Sequence, residues 1–253
     1  MKPDIKTSEA NFHDSLISQK ARRERDFYTY ESMQDIIKTQ NEFLGDIKGK
    51  KVLDYGCGTG WLTIELLSKG AVVSSIDISP KSIEETIKKV NDFNFQNHSA
   101  HIMDCEDLKF PDESFDVICG NGILHHLNLD YALNEINRVL KKGGHAVFYE
   151  PLGKNPAVNL YRLLTPNSRT KNEHPLGKKD LIKITQTFSD YSFYYFGLFD
   201  CFSKIFCVLN LKKTQHALSR FLKKLDRKIL GGETKKISFI NTLSWIVVMK
   251  LVK

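Results

Sequence analysis

Three closely spaced glycines follow the first apolar run of the chain and constrain its fold more than any other feature. Residues 51–54 read as a short strand, Gly56, Gly58 and Gly60 follow at intervals of one residue, and a helical pattern begins at residue 61. Glycine has no Cβ, so a turn of this kind lets a ligand approach bare backbone, and the helix start favours negative charge. We expect an α/β fold in which this turn holds a ligand.

The rest of the chain alternates between short apolar runs and amphipathic stretches. This alternation predicts a Rossmann-like, seven-stranded, mostly parallel sheet with helices on both faces. The Ser-Pro pair at residues 79–80 predicts a helix start. The predicted strands cover 51–54, 71–77, 99–103, 115–120, 145–150, 191–196 and 244–251, and the predicted helices 61–69, 80–93, 130–141, 179–188 and 214–230.

These elements suggest one domain with appended segments. We expect an N-terminal helical cap over 1–50 and a single ligand-binding α/β domain over 51–253. Within that domain, 151–177 is rich in Pro, Asn and Arg and predicts an irregular substrate loop. A basic helical lid is expected as an insertion over 197–236, between strands six and seven.

Composition excludes several classes of protein. The 253 residues are 41% hydrophobic and 26% charged, as in ordinary globular domains. No apolar stretch of about 18 residues predicts a membrane-spanning helix, and the polar N-terminus has no apolar signal region. The five cysteines are scattered and no His or Cys spacing is typical of a zinc site, so a reduced, cytoplasmic protein without a metal is expected.

Positive charge is concentrated near the C-terminus. The net charge is +7, yet residues 201–253 carry 12 basic and two acidic residues, or +10, which leaves −3 for the other 200 residues. The predicted helix 214–230 carries much of this excess. Its apolar stripe comprises Leu218, Phe221, Leu222, Leu225 and Ile229.

Three interpretations of this basic segment remain open. The helix could be a lid that packs on the domain by its stripe, a peripheral contact of 202–230 with an anionic membrane, or an attractor for an anionic substrate. Nucleic acid is not expected as a partner, because strand four ends in Gly-Asn-Gly without the Asn/Asp-Pro-Pro-aromatic signature of many base methylases. The oligomeric state is not predicted.

The surroundings of the glycines indicate which ligand the turn binds. Asp54 lies two residues before the first glycine, where dinucleotide-binding turns usually have a small apolar residue. The spacing Gly-x-Gly-x-Gly also lacks the second intervening residue of a dinucleotide fingerprint. Asp77 ends the second strand, where it could bind both hydroxyls of a ribose. Together these features favour S-adenosylmethionine (SAM) over a nicotinamide cofactor.

Four motifs carry a resemblance to a known family: VLDYGCGTG, SSIDIS, HIMDCEDL and FDVICGNGILHHL, all within residues 51–150. In this order and spacing they resemble the class I SAM-dependent methyltransferases, in particular the small-molecule group that includes the ubiquinone-pathway enzymes. The resemblance implies a set of cofactor contacts. The methionine end of SAM would lie against Asp54, Gly56, Cys57, Gly58, Gly60, Gly120 and Asn121, and the adenosine end against Asp77, Ile78, Asp104 and Cys105.

The resemblance also implies that an N-terminal segment closes over SAM, where Tyr28 or Tyr30 would touch its carboxylate. The alternative for these aromatics is simple packing on the sheet. For Asp77 and Asp104 the alternative is that each caps the next turn. Asp116 begins strand four, away from the ligand-binding edge of the sheet, and is interpreted as structural.

Candidate catalytic residues follow strands four and five. His126 could act as a base, since imidazole titrates near neutral pH, although His125 and His126 could also pack locally. Glu150 ends strand five and could hold a substrate hydroxyl or amine, or bond nearby backbone. His174 is a second candidate base. Glu150 with His174 could hold a divalent metal, but two ligands specify none. Substrate-binding candidates are His13, Tyr161, Arg162, Arg169 and Glu173.

The sequence therefore predicts an enzyme that transfers a methyl group from SAM to an oxygen or nitrogen of a small-molecule acceptor, which could be anionic or phosphorylated. Two alternatives remain. One is C-methylation of a quinone-like or lipid-like acceptor at a membrane surface. The other is a partner subunit that binds SAM without catalysis.

Overall fold

A seven-stranded sheet forms the centre of the protein, as the sequence predicts. The computed structural model describes residues 6–11, 14, 30–164, 173–203 and 212–253. The strands lie in the order β3-β2-β1-β4-β5-β7-β6; β1 to β5 are parallel, and β7 runs antiparallel to both of its neighbours. The strands are β1 Lys51–Tyr55, β2 Val72–Asp77, β3 His98–Ile102, β4 Phe115–Asn121, β5 Leu140–Pro151, β6 Asp190–Phe196 and β7 Ile246–Val252.

Helices connect these strands, and local capping explains where two of them begin. Ser79 accepts a hydrogen bond from the backbone N–H of Ser82 at the start of α3, and Asn128 caps α4 by accepting from Asp130. Residues 6–11 are also helical. The helices are α1 Tyr30–Leu44, α2 Trp61–Ser68, α3 Pro80–Asp92, α4 Leu129–Val139, α5 Pro156–Leu164, α6 Lys178–Thr187, α7 Asp200–Ser203, α8 Lys212–Leu230 and α9 Phe239–Thr242.

Both faces of the sheet are buried. Successive residues of a strand point to opposite faces, and Val52 and Val117 belong to one hydrophobic cluster while their neighbours Leu53 and Ile118 belong to another. All four side chains are fully buried. Such continuous apolar strands are typical of a parallel sheet covered by helices on both sides.

The segment 151–177 is more regular than predicted, because it contains α5. The side chain of Asn155 accepts from the backbone N–H groups of Ala157 and Val158, and Pro156 occupies the first helical position. This is the same cap-plus-proline signal that predicts α3. The strand β5 also begins five residues earlier than predicted, since Leu140 pairs with Phe115 before a register shift, and α4 accordingly ends at residue 139.

Helix α8 forms where a basic amphipathic helix is predicted, and only part of its apolar stripe is covered. Asp226 and Leu230 are buried, whereas Phe221 is 65% and Ile229 44% exposed. Asp226 accepts from the backbone N–H groups of Phe199 and Asp200, which ties α8 to α7. Leu218, Leu222 and Leu225 of the predicted stripe are half-buried, so the helix packs by part of that stripe, and its role as a lid stays a prediction.

No helix among the described residues has the length and hydropathy needed to cross a membrane. The peripheral membrane contact of 202–230 stays a prediction, and 204–211 lie outside the described residues.

Candidate active site

The carboxyl ends of the parallel strands surround a cavity of about 170 Å³. It lies where the strand order reverses between β1 and β4, which is where open α/β sheets bind ligands. The cavity is lined by Gly56, Gly58, Asp77, Ile78, Asp104, Cys105, Glu106, Asn121, Gly122, Ile123, His126 and Leu127, and by Lys6 and Glu9 of the N-terminal helical segment.

Of the glycines in the first turn, Gly58 is the one that opens toward the cavity. A Cβ on Gly56 would lie 2.6 Å from Cγ1 of Ile123, and a Cβ on Gly60 would lie 2.7 Å from Oγ1 of Thr86. A Cβ on Gly58 would meet nothing within 4 Å, although its φ of +53° disfavours other residues. The two outer glycines thus permit close packing within the protein, and the central one leaves room for a ligand.

Asp77 fixes this turn and also lines the cavity. Its carboxylate accepts from the backbone N–H of Gly58 at 2.9 Å and from that of Ser79 at 2.8 Å. The capping role, which was the alternative to ribose binding, is therefore present. Each carboxylate oxygen can accept a second hydrogen bond, so capping leaves the ribose-binding prediction open.

Asp104 at the end of β3 is paired with a lysine from the N-terminal helical segment. The Lys6 ammonium contacts the Asp104 carboxylate and lies 3.6 Å from Oε2 of Glu106. Burial opposes the charge on Lys6, but its ion pairs with the two carboxylates outweigh burial and raise the pKa of Lys6. Asp104 also accepts from the backbone N–H of Glu106. An adenine amino group at this position would share Asp104 with Lys6.

Asp54 lies behind the turn, fully buried. Its Oδ2 accepts from Oγ1 of Thr63 at 2.5 Å, while Oδ1 has no hydrogen-bond partner among the described residues. Burial, supported by the nearby charge of Asp77, raises the pKa of the Asp54 carboxyl to about 7. A buried acceptor without a partner is costly, and that cost falls when the carboxyl keeps its proton.

This pKa gives a testable pH dependence. The folded chain binds the Asp54 proton more tightly than the unfolded chain, whose carboxyl titrates near 3.8. The free energy of unfolding therefore loses a contribution from Asp54 as pH rises from about 4 to about 7, and the loss is complete above that range. Asp54→Asn lacks this loss, so its unfolding free energy relative to wild type should increase across the same window. Urea unfolding of both proteins at about pH 5 and pH 8 measures the difference; an unchanged difference contradicts the raised pKa.

The other predicted cofactor residues occupy two kinds of position. Asn121 lines the cavity, and its Oδ1 accepts from Nε2 of Gln40 at 2.5 Å. Gly120 is instead required by strand packing, because a Cβ there would lie 2.7 Å from the backbone oxygen of Tyr55. Cys57 is buried and its backbone N–H donates to Ile76. Cys57, Gly60, Gly120 and Asp54 thus support the turn from behind.

Glu150 at the end of β5 is buried and connects this strand to the turn after β4. Its side chain is fully buried, and Oε1 accepts from the backbone N–H groups of Ile123 and Leu124 at 2.9 and 2.8 Å. Its Oε2 lies 2.7 Å from Nδ1 of His125. These contacts correspond to the backbone-bonding alternative from the sequence, and they give Glu150 a positioning role rather than contact with a substrate.

His126 lies at the wall of the cavity between two glutamates. Its Nδ1 is 3.3 Å from Oε2 of Glu9, and its Nε2 is 3.9 Å from Oε1 of Glu173. Burial opposes the charged form, but the interaction with Glu9 and the charges of Glu173 and Glu150 outweigh burial and raise the pKa of His126. A histidine that holds its proton more tightly is a weaker candidate for a base near neutral pH.

The remaining predicted residues lie away from the cavity or outside the described residues. The side chain of His174 is exposed, and its backbone N–H donates to the backbone oxygen of His125. Nη1 of Arg162 donates to Leu152 and Asn159. His13, Tyr28 and Arg169, and the side chains of Tyr30 and Tyr161, lie outside the described residues.

Sequence reasoning missed six residues of the cavity lining: Glu106, Gly122, Ile123 and Leu127, which lie within the motifs, and Lys6 and Glu9, which lie outside them. Lys6 and Glu9 are three residues apart and therefore share one face of a helical segment. That spacing is a weak signal in a polar stretch, and their contacts with Asp104 and His126 span more than 90 residues of sequence.

The chain is similar to known methyltransferases over part of its length. A family model described as a methyltransferase domain matches residues 53–148. A demethylmenaquinone methyltransferase of Tropheryma whipplei is 39% identical over 110 residues, which cover 43% of this chain and 45% of the relative. A ubiquinone biosynthesis O-methyltransferase of Alkalilimnicola ehrlichii is 30% identical over 124 residues, 48% of this chain and 49% of the relative. The chain thus matches about half the length of these relatives.

Among solved structures, a Haemonchus contortus phosphoethanolamine N-methyltransferase in complex with SAM is similar to 88% of this chain and 52% of its own, with a TM-score of 0.58 and 16% identity. At this identity the similarity concerns the fold, which extends well beyond residues 53–148.

Proposed function

Because the chain belongs to the class I superfamily of SAM-dependent methyltransferases, we propose that it methylates an oxygen or nitrogen atom of a small-molecule acceptor with SAM as the methyl donor. The observation that carries this proposal is the open face of Gly58. It lies beside the Asp77 carboxylate, in a cavity at the switch point of the sheet.

The residues around the cavity fit SAM. The cofactor has two ribose hydroxyls, for which the carboxylate of Asp77 in the cavity lining is a suitable acceptor. Ile78 supplies an apolar surface for the adenine, and the bare backbone at Gly58 allows close approach of the methionine end.

When bound, SAM supplies a methyl group on a positively charged sulfur, which becomes a neutral thioether once a lone pair of the acceptor has bonded to the methyl carbon. The protein has to hold the acceptor in line and exclude water. Ile123 and Leu127 give the cavity apolar walls. Glu9 and His126 give one side of it polar groups that can orient the acceptor, and the Glu9 carboxylate can receive its proton. Glu150 would act through His125 and the backbone at residues 123–124.

Two alternatives have some support. The relative from Tropheryma whipplei is named as a demethylmenaquinone methyltransferase, which favours a quinone-like acceptor as the second candidate. A SAM-binding subunit without catalysis would keep the same cofactor residues. An anionic acceptor has less support: none of the described residues lining the cavity belongs to the basic helix α8, and Lys6 is already paired with Asp104 and Glu106.

Two measurements test the proposal. Calorimetry with S-adenosylhomocysteine (SAH) should detect binding at one site per chain that SAM competes for. Incubation of the chain with methyl-labelled SAM and a small-molecule extract should then transfer label to a metabolite. Binding without transfer would support the non-catalytic alternative, and the absence of binding would refute the cofactor site. Mass spectrometry of the labelled product distinguishes oxygen, nitrogen and carbon acceptors.

A further inference from the structure

Two histidines and a glutamate form a compact group beside the cofactor cavity. His125, His126 and Glu173 each offer a ligand atom, and these three atoms all lie within 4.8 Å of one another. No metal is predicted from the sequence, because no His or Cys spacing is typical of a zinc site and the pair Glu150 and His174 specifies no metal. The fold instead brings Glu173 to the neighbouring pair of histidines. Two imidazoles and one carboxylate are a donor set that suits divalent transition metals.

Each of the two imidazoles has a carboxylate at its Nδ1. Glu150 lies 2.7 Å from Nδ1 of His125, and Glu9 lies 3.3 Å from Nδ1 of His126. Metal-binding histidines almost always donate the N–H of their second nitrogen to such a group, which sets the tautomer and fixes the ring. Glu150 would thus keep the proton of His125 on Nδ1 and leave Nε2 as the ligand atom. The Glu9 carboxylate lies near Nδ1 of His126 without a hydrogen bond between these two atoms, so it favours the same tautomer of His126 through its charge.

The charge of the group favours a cation. Three carboxylates, those of Glu9, Glu150 and Glu173, surround two imidazoles, and the five side chains are between 0 and 17% exposed. With neutral imidazoles the group carries three buried negative charges, which is costly without compensation. A divalent ion compensates most of that charge.

The third ligand is held in place by backbone contacts. The residue after Glu173, His174, donates its backbone N–H to the oxygen of His125 at 2.9 Å. Two residues further on, Leu176 donates to the oxygen of Pro151 at 3.0 Å. These two hydrogen bonds anchor the Glu173 segment to the turn after β4 and to the end of β5, so its position relative to the histidines is part of the fold.

We propose that His125, His126 and Glu173 bind a divalent transition-metal ion, with Glu150 and Glu9 as positioning residues. Three protein ligands leave coordination positions for an acceptor oxygen at the wall of the SAM cavity. A metal there lowers the pKa of a bound hydroxyl and orients it; this role rests on the proposed methyl transfer, whereas metal binding itself does not. The proposal makes His126 a ligand in place of the base predicted from sequence.

Cobalt provides a direct test, because Co²⁺ bound by nitrogen and oxygen ligands in a protein has visible absorption bands. The full chain is stripped with a chelator, dialysed and titrated with Co²⁺. We expect one Co²⁺ per chain and visible bands that Zn²⁺ displaces. Wild-type protein that binds SAH but gains no such bands at millimolar Co²⁺ would overturn the metal site and leave the proposed function intact. Loss of SAH binding alone would refute the function instead.

Substitutions assign the ligands. Glu173→Gln should weaken Co²⁺ binding at least 10-fold, and Glu150→Gln should weaken it about 10- to 100-fold by releasing His125. Glu84→Gln, an exposed glutamate of α3 far from the group, serves as the control and should bind Co²⁺ like wild type. Wild-type Co²⁺ affinity and spectrum in Glu173→Gln would contradict the assignment. If a variant fails to fold, the wild-type titration still decides the proposal.

Discussion

Gly58→Val is expected to reduce the affinity of the chain for SAH by at least about 100-fold. The valine side chain would project into the cavity, where a Cβ meets no protein atom within 4 Å. Overpacking of a filled site costs about 1–3 kcal/mol or more, and displacement of the backbone that must contact the ligand adds to that, while about 2.7 kcal/mol corresponds to 100-fold. Calorimetric titration with SAH measures the effect.

Gly45→Val provides a matched control. Gly45 also has a positive φ, +65°, and open space around a Cβ, but it follows α1 on the surface and does not line the cavity. Both variants carry the same kind of backbone strain, about 1–3 kcal/mol, so their melting temperatures should fall similarly. SAH affinity should fall in Gly58→Val alone. Equal affinities in the two variants would show that the ligand does not pass close to Gly58.

Glu150→Ala is expected to lower the free energy of unfolding by about 3–5 kcal/mol. The substitution leaves the backbone N–H groups of Ile123 and Leu124 and the ring of His125 without their buried acceptor. Each unsatisfied buried group costs about 1–3 kcal/mol. Urea unfolding followed by circular dichroism gives the value.

Glu84→Ala is the corresponding surface control, and its effect should stay within about 0.5 kcal/mol. Glu150→Gln should be milder than Glu150→Ala, because the amide oxygen can still accept from the two backbone donors although it lacks the charge. If the free energy of unfolding of Glu150→Ala falls by less than about 1 kcal/mol, water replaces the carboxylate. Glu150 would then not be needed for stability.

The parts of this site that could be predicted from sequence are those that depend on local backbone. The turn at Gly56–Gly60 and Asp77 at the end of β2 follow from strand, glycine and helix patterns within about 30 residues. The cap at Ser79 follows from side-chain chemistry alone. The position of each of these residues depends on its own segment of the chain and not on what packs against it.

The contacts that could not be predicted join segments distant in the chain. Glu150 meets His125 because β4 and β5 pair in parallel, with Asn121 opposite Tyr149. Periodicity gives neither that register nor the direction of the Glu150 side chain. Lys6 and Glu9 lie in a polar segment with no strong pattern, and their positions depend on a tertiary contact. The helix α5 is a different case. Its Asn155-Pro156 pair is a helix-start signal in the sequence, but the Pro, Asn and Arg content of 151–177 predicts an irregular loop.

The placement of β7 between β5 and β6 separates the cofactor turn from the edge of the sheet that carries α7 and α8. The edge strand β6, with α7 and α8 beside it, joins the sheet through β7, while the cofactor turn lies on the far side of β4 and β5. Exchange of residues 197–245 for the equivalent stretch of another such enzyme should therefore leave adenosine recognition untouched. The surface of the protein at the β6 edge of the sheet can therefore be exchanged without changing the part of the sheet that carries the cofactor turn.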